Sequence, residues 1–372
     1  MRKVLGICNL HDSPKLGLLT EKRPLAAVSF LGRYGLIDFT LSNFTNSGID
    51  RVAILADDHL NSLRSHLARS ETYIQNTRLG FQRIVFNEKY FSSPKFNTDI
   101  ANILANVGWF SELSDEYVIV APSFYLLPID LSKVLDEHIA KGAEASIVYT
   151  KCATADVDFI NGDTVTVDKE GYISSFGSNT GRKKERNISL EIFVFNRQTF
   201  IDLITRAREI SSLYNIRDMV KFSVANKIFK LNAYEYVGYV APILTLNDYV
   251  RYSFELLDYA NRQKLFLEDW PIYTTTHNTP PSLYGENADV RNSFVANGSI
   301  INGKVYNSVI SRGVVVEEGA ELRNCIVFSR SIVGKGSKLK YVLIDKDCRV
   351  ANSNKLSGDE ENIVYVKQGV II

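Results

Sequence analysis

Few side chains in this sequence stand where they could do chemistry. Arg33, in the run Gly32-Arg33-Tyr34, is a candidate contact for an anionic effector or a substrate phosphate. A guanidinium offers a planar fork of donors that matches phosphate and carboxylate oxygens. The alternative is a surface arginine paired with a carboxylate. Asp38 falls inside a helical pattern, which favours a local hydrogen bond or ion pair over a metal ligand. His59, His66 and His138 also lie on predicted helices and need no role beyond packing or solvent contact. The short basic run Arg182-Lys183-Lys184-Glu185-Arg186 reads as a solvated loop. No Ser-His-Asp set stands out, and Cys8, Cys152, Cys325 and Cys348 lack metal-like spacing. Cys8, Cys152 and Cys325 sit among apolar residues, so buried reduced thiols in a cytoplasmic protein are expected.

The elements that must position these groups begin with Lys3 to Asn43. Val4, Leu5 and Ile7 form a short apolar run suited to a buried strand. A loop of turn and cap formers follows, Asn9, His11, Asp12, Ser13 and Pro14. Leu36, Ile37, Phe39, Thr40 and Phe44 then recur at helical spacing, and Gly48 ends the helix.

At 372 residues the chain is long enough for two domains. Its hydrophobic content of 45%, charged content of 23% and net charge of +1 are those of a soluble globular protein, with no field for nucleic acid or membrane. No apolar stretch approaches the roughly 20 residues of a spanning helix. The N-terminus has too short an apolar run for a signal peptide.

Residues 1–245 alternate strands and helices, which predicts an α/β layer with a mostly parallel sheet. Expected strands are 51–57, 118–122, 146–151 and 188–195, a hairpin at 164–176, and a strand with its return at 228–240. Expected helices are 59–69, 131–142 and 198–209. A long helix is expected over 246–266, capped by Asn247 or Asp248, with more aromatic surface than one core face needs. Residues 270–285 read as an extended linker.

From about Asp289 the period changes. Every sixth residue from Val314 gives Val314, Ala320, Ile326, Ile332, Lys338, Ile344 and Val350, and only the lysine breaks the apolar column. This is the hexapeptide repeat of a β-helix, and about 60 residues at roughly 18 per coil give roughly three coils. Its open ends are natural oligomer surfaces. Hexapeptide coils also occur in acyltransferases, but no histidine stands within these coils to act as their base. The expected domains are 1–245, an interdomain helix and linker 246–288, and a β-helix 289–372.

The run GRYGLIDFTLSNFTNSGI, Gly32 to Ile49, resembles the bacterial glucose-1-phosphate adenylyltransferase (ADP-glucose pyrophosphorylase) family almost residue for residue. That resemblance covers essentially the whole chain. It implies a Rossmann-like nucleotidyltransferase domain, an interdomain helix and a left-handed parallel β-helix. It also implies a reaction, attack of glucose 1-phosphate on the α-phosphate of ATP with release of pyrophosphate. Such a reaction needs backbone N–H groups around the triphosphate, a cation beside it, and carboxylates for Mg2+.

The family's motifs are degraded here. Where the glycine-rich GGxGTRL signature belongs, Leu10 and His11 replace the paired glycines, Ser13 the third glycine, Pro14 the threonine and Lys15 the arginine. Pro14 removes one N–H donor, and Lys15 keeps charge but not the fork. Pro122 and Ser123 take the Gly-Asp positions after the VILAG-type strand. Ala241 and Pro242 stand where the GYWRDVGT motif has Arg-Asp. Ser178-Asn179-Thr180 replace EKP, Glu191 stands at the glycine of an ASMGIYVF-type motif, and Leu25 at a lysine near the activator site.

Losing metal clamp and phosphate cradle together removes several kcal/mol of transition-state stabilisation, each roughly 1.4 kcal/mol being tenfold in rate. The combined loss matches the GlgD type of the family. That type implies a non-catalytic regulatory subunit in the cytoplasm, with no cofactor of its own, joined to a catalytic partner that uses Mg2+. The expected assembly is a hetero-tetramer, or a homo-oligomer when alone, and Lys15 and Arg33 are the ligand or effector candidates. Two alternatives remain open. One is a weak adenylyltransferase using Lys15 and a carboxylate such as Asp12 or Asp130; the other is a sugar-phosphate or nucleotide sensor.

Overall fold

The computed structural model describes residues 2–68, 70–75, 78, 80–88 and 95–372. Arg69, the last residue of the helix expected at 59–69, lies outside them. The chain divides into two units. One comprises Met1–Pro14, Ile37–Leu244 and Glu268–Tyr273, the other Lys15–Leu36, Thr245–Leu267 and Thr274–Ile372. The expected boundary at 245 therefore misses two exchanges. Residues 15–36 belong with the C-terminal unit, and 268–273 with the N-terminal one. Sequence order hides this, because compact units form by packing rather than by chain continuity.

The first unit is built on a sheet with a parallel centre. Strands β1 (Val4–Asn9), β2 (Arg51–Leu55), β3 (Phe81–Val85) and β4 (Tyr117–Pro122) lie in the order β3-β2-β1-β4, all parallel. The sheet continues through β5 (Ala145–Cys152), the hairpin β6 (Asp163–Val167) and β7 (Ile173–Ser178), β8 (Arg186–Asn196) and β9 (Leu231–Glu235). β8 runs antiparallel to β4, β5 and β6, while β9 is parallel to β5. The central strands read as unbroken apolar runs because both faces are covered. Leu5, Ile7, Val118 and Val120 share one core with Ile103, Leu203 and Met219. These three come from helices α3 (Asp99–Ala105), α6 (Arg197–Ile210) and α7 (Ile216–Ala225). The sequence pattern picked out α6 but missed α3, α7 and β3. Of the strand and return expected over 228–240, Leu231–Glu235 forms a strand and no return strand follows within that range.

Helix α1 spans Leu36–Asn46, and every residue from 36 to 45 is buried. Gly48, at φ +71°, turns the chain out of it, a conformation that glycine adopts without a Cβ clash. Helices α2 (Leu60–His66), α4 (Val107–Glu112) and α5 (Leu131–Ala140) complete the layer.

In the second unit, three five-stranded parallel sheets run from Leu283–Tyr284 to Val364–Val366. This agrees with a left-handed β-helix. Val309 opposes Ile326, which opposes Leu343, so one turn of the coil takes 17 residues there. A strict period of six therefore drifts. The buried columns are Ile301, Val316, Val333 and Val350 on one face, and Val305, Leu322 and Leu339 on another. Five coils form instead of the expected three. The first begins inside the segment read as linker, where Leu283 and Tyr284 carry no repeating apolar beat.

The expected long helix is two helices, α8 (Leu246–Glu255) and α9 (Tyr259–Leu265). Thr245 caps α8 in a capping box with Asp248, and the Asp258 side chain accepts from Asn261 N to start α9. Tyr249, Tyr252, Leu256 and Leu257 are buried, while Tyr259 is exposed. Cys8, Cys325 and Cys348 are buried thiols, whereas Cys152 is only half-buried. Among the described residues no helix is long and apolar enough to cross a membrane.

Candidate functional site

The loop after β1 is closed on itself. Leu10 is buried, and its N–H donates to Leu55 O at 3.0 Å, so this amide already has a partner. His11 is also buried. Its Nδ1 donates to Asn97 O at 2.9 Å, and its Nε2 accepts from Asn102 Nδ2 at 3.1 Å. Those two contacts occupy both ring nitrogens. Ser13 Oγ donates back to Leu10 O at 2.7 Å. Asp12, at φ +57°, accepts from Asn215 Nδ2. Lys15 is exposed and belongs to the other unit.

The strand-end positions are equally occupied. Ser123 and Pro242 are buried, and Ala241-Pro242 pairs with Tyr125-Leu126. Asn179 is buried with its amide donating to Ala155 O, Asp158 O and Phe159 O at 2.8–3.0 Å. It closes its own loop and offers nothing outward. Asp130, the alternative carboxylate, caps α5 through Ser132 N at 3.0 Å.

Sequence reasoning missed the charges that gather around Asp12. Arg217 and Lys221, one turn apart on α7, meet carboxylates from three directions. Arg217 Nη1 donates to Glu191 Oε1 at 3.1 Å, and Lys221 Nζ lies 2.6 Å from Asp163 Oδ2. Glu191 sits at a register shift in β8 with φ +53°, a left-handed conformation that suited the glycine of the family motif. Burial raises the pKa of Glu191 against the pull of Arg217. Burial also raises Asp12, where Arg217 lowers and Asp218 raises it. Asp99 is pushed up to about 7, first by burial and then by Asp12, although Asn9 Nδ2, Ile100 N and Ile216 N all donate to it.

Asp12, Asp99, Asp163, Glu191 and Asp218 thus outnumber Arg217 and Lys221. A polyphosphate would add negative charge to a cluster already in excess. The neighbouring cavity between Thr40, Pro122, Tyr125 and Ile192 holds about 10 Å³, room for one water. The family's Mg2+ does not fit what is present. Ser123 and Pro242 supply no carboxylate, and among the described residues no group of three or more His, Cys, Asp or Glu could hold a metal ion.

The retained motif has structural employment instead. Asp38 Oδ1 lies 2.5 Å from His66 Nε2 and accepts from Tyr73 OH at 2.8 Å. Thr40 Oγ1 donates to Pro122 O, and Asn43 Nδ2 donates to Leu127 O while its Oδ1 accepts from Trp270 Nε1. A helix buried all round must satisfy each polar side chain in this way. His138 is likewise held in the core, by Ser146 Oγ and Asn196 Oδ1, and burial lowers its pKa. His59 precedes α2 in a left-handed conformation rather than lying on it. Arg182 to Glu185 are exposed, as a solvated loop requires.

Arg33 has a different setting. It projects from a tight hairpin, Ser29–Phe30 paired with Tyr34–Gly35. Gly32, at φ +71°, lies so close to the coil that a Cβ there would meet Ile310 O at 2.8 Å. Arg33 lines a cavity of about 420 Å³ within the second unit, together with Arg262, Arg312, Tyr34, Phe266 and Phe294. Lys15 is not part of that lining, so the two ligand candidates are not brought together. Leu25 is buried, and the neighbouring Arg23 is locked in an ion pair with Asp345 at 2.7 Å, both almost wholly buried.

The nucleotidyl transferase family profile matches residues 14–231, and a profile described as GlmU-like, C-terminal hexapeptide matches residues 281–371. The chain belongs to the nucleotidyl transferase family and carries a C-terminal hexapeptide domain. Within that class it is similar along nearly its whole length to glucose-1-phosphate adenylyltransferases. It is 29% identical to that of Fervidobacterium nodosum over 96% of this chain and 86% of that protein. It is 28% identical to that of Lachnospira eligens over 82% and 71%. Identity to that of Bacillus cereus is 26% over 95% of each.

Proposed function

We propose that this chain is a catalytically degenerate, regulatory member of the glucose-1-phosphate adenylyltransferase family, of the GlgD type. It would act in glycogen synthesis in the cytoplasm by modulating a catalytic partner subunit within a hetro-oligomer, a tetramer in the simplest case. One observation carries this reading. The places where the reaction needs backbone donors, a free cation and metal ligands are filled by Leu10, His11, Ser123, Asn179 and Pro242, each buried, and by an ion cluster that neutralises Arg217 and Lys221 internally. A scaffold kept whole around a site that holds its own side chains serves assembly better than turnover. The chain itself needs no cofactor in this role, and Mg2+ belongs to the partner. Arg33 is the better of the two effector candidates, because it lines a cavity and Lys15 does not.

Coupling would arise if the two conformations of the catalytic partner bind this chain differently. The test is co-expression with a catalytic glucose-1-phosphate adenylyltransferase subunit from the same cell. The reading predicts a co-purifying complex whose maximal rate or effector response differs from that of the catalytic subunit alone. A catalytic subunit that neither co-purifies with this chain nor changes its rate in its presence contradicts it.

A further inference from the structure

A separate cavity lies within the first unit, between α4 and α6, and reaches down to β1 and β4. Leu5, Ile103, Val118, Phe200 and Ile204 form its floor, all buried, and half-buried Phe110 closes one side. Its apolar wall runs on to solvent, where Val107 is 57% and Ile201 42% exposed. On α6 the buried stripe is Phe200, Leu203, Ile204 and Ala207, so Ile201 is an apolar residue that the core does not use. Two charged side chains also line the cavity. Asp115 is already neutralised, with Arg51 Nε 2.9 Å from its Oδ1 and Arg51 Nη2 donating to its Oδ2 at 3.1 Å. Arg197, the first residue of α6, has no such partner. Among the described residues it forms no ion pair, and its side chain makes only a long bond, Nη2 donating to Ser111 O at 3.5 Å. Its backbone N–H donates to Glu116 O at 2.9 Å, which fixes it at the start of the helix.

Size and lining decide the class of ligand. The volume is about 220 Å³. Sites for larger ligands begin at roughly 300 Å³, so a nucleotide or a sugar nucleotide is too big. A cavity of about 150 Å³ takes a benzene ring, which leaves room here for a ring with a short chain. The floor offers a sugar hydroxyl no partner, and burying an unpaired hydroxyl is unfavourable. Phe110 and Phe200 give an aromatic ring neighbours for edge-on or offset contact. Arg197 is the sole cation of the lining, and its planar fork matches the two oxygens and single charge of a carboxylate. A phosphate dianion would call for more donors than this rim presents.

We infer that this cavity binds a small aryl carboxylate, its ring set between Phe110 and Phe200 and its carboxylate held at the mouth by Arg197. The claim concerns binding by the chain alone, so it stands or falls separately from the regulatory role. The experiment is calorimetric titration of the full chain with 3-phenylpropanoate, its uncharged isostere 3-phenylpropanamide, and propanoate. Variants R197M and I201W are titrated in parallel, the second placing an indole across the mouth from an exposed position. R33M serves as a control for carboxylate binding in the other unit. Expected is saturable one-site binding of 3-phenylpropanoate, with the amide and propanoate each at least tenfold weaker. R197M is expected to bind the acid at least tenfold more weakly and the amide as before, so that the preference for charge disappears. I201W is expected to lose both, and R33M to behave as wild type. Circular dichroism melts establish that each variant is folded, and the comparison of acid with amide on the wild-type chain needs no variant. No saturable binding of 3-phenylpropanoate, an amide that binds as tightly as the acid, acid binding unchanged in folded R197M or I201W, or binding lost in R33M would each overturn the inference.

Discussion

Two clusters of charge in this molecule have opposite character. Around Asp12, carboxylates outnumber cations, and both Arg217 and Lys221 are bound to neighbours at 2.6–3.1 Å. Around Arg33, three guanidinia border an open space and no carboxylate lines it. The first cluster lies where the family resemblance puts nucleotide chemistry, the second beside the Gly32-Arg33-Tyr34 run. In charge, the loop after β1 is crowded with carboxylates while the hairpin cavity is lined by none.

The comparison can be broken most sharply inside the second unit, at the ion pair that resembles the saturated cluster. Arg23 and Asp345 are both almost wholly buried, and Tyr365 OH and Gln368 complete the arrangement. Removing one partner of such a pair strands a buried charge and costs about 3–5 kcal/mol. R23M should therefore lower the unfolding free energy, measured by urea titration, by that amount. A loss below about 1 kcal/mol would mean that this pair is not the anchor its burial suggests.

A smaller effect is expected at Arg217, whose side chain is about a third exposed. R217M leaves Glu191 and Asp163 facing each other with Lys221 as their remaining cation. A loss of about 1–3 kcal/mol is expected, after allowing for partial solvent screening. The same substitution should restore no turnover, since it supplies neither metal ligands nor backbone donors.

Asp99 gives the subtlest test, a change of slope instead of midpoint. Its carboxyl titrates near 7 in the folded chain and near 4 when unfolded. Between those values the native state holds the extra proton, so this group makes stability fall as pH rises from about 4 to 7, with no penalty below that window. D99N should flatten that fall. An unchanged slope in urea unfolding across pH 4–7 would remove Asp99 from the account.

Several of these features were legible from residue order alone. Val4 to Ile7 announced β1, and Leu36 to Phe44 with Gly48 announced α1 and its end. The apolar beat from Val314 announced the β-helix, but a 17-residue coil slips against a period of six, and the early coils carry Ser308 and Asn302 within the beat. Motif positions such as His11 and Asn179 showed loss of the family's groups, yet nothing local told that each is wholly taken up by backbone and amide partners. Arg217 and Lys221 went unnoticed because α7 was not recognised. Arg33, Arg262 and Arg312 meet only through tertiary packing, which leaves no trace in spacing.

The most direct measurement of the central claim is ADP-glucose formation by the purified chain alone, with ATP, glucose 1-phosphate and Mg2+ at saturating levels. Loss of both metal ligands and phosphate cradle predicts no formation above an enzyme-free control. Sustained Mg2+-dependent turnover by the chain alone would contradict the account. It would mean that Asp12, Asp163 and Glu191 can release their partners and hold the metal after all.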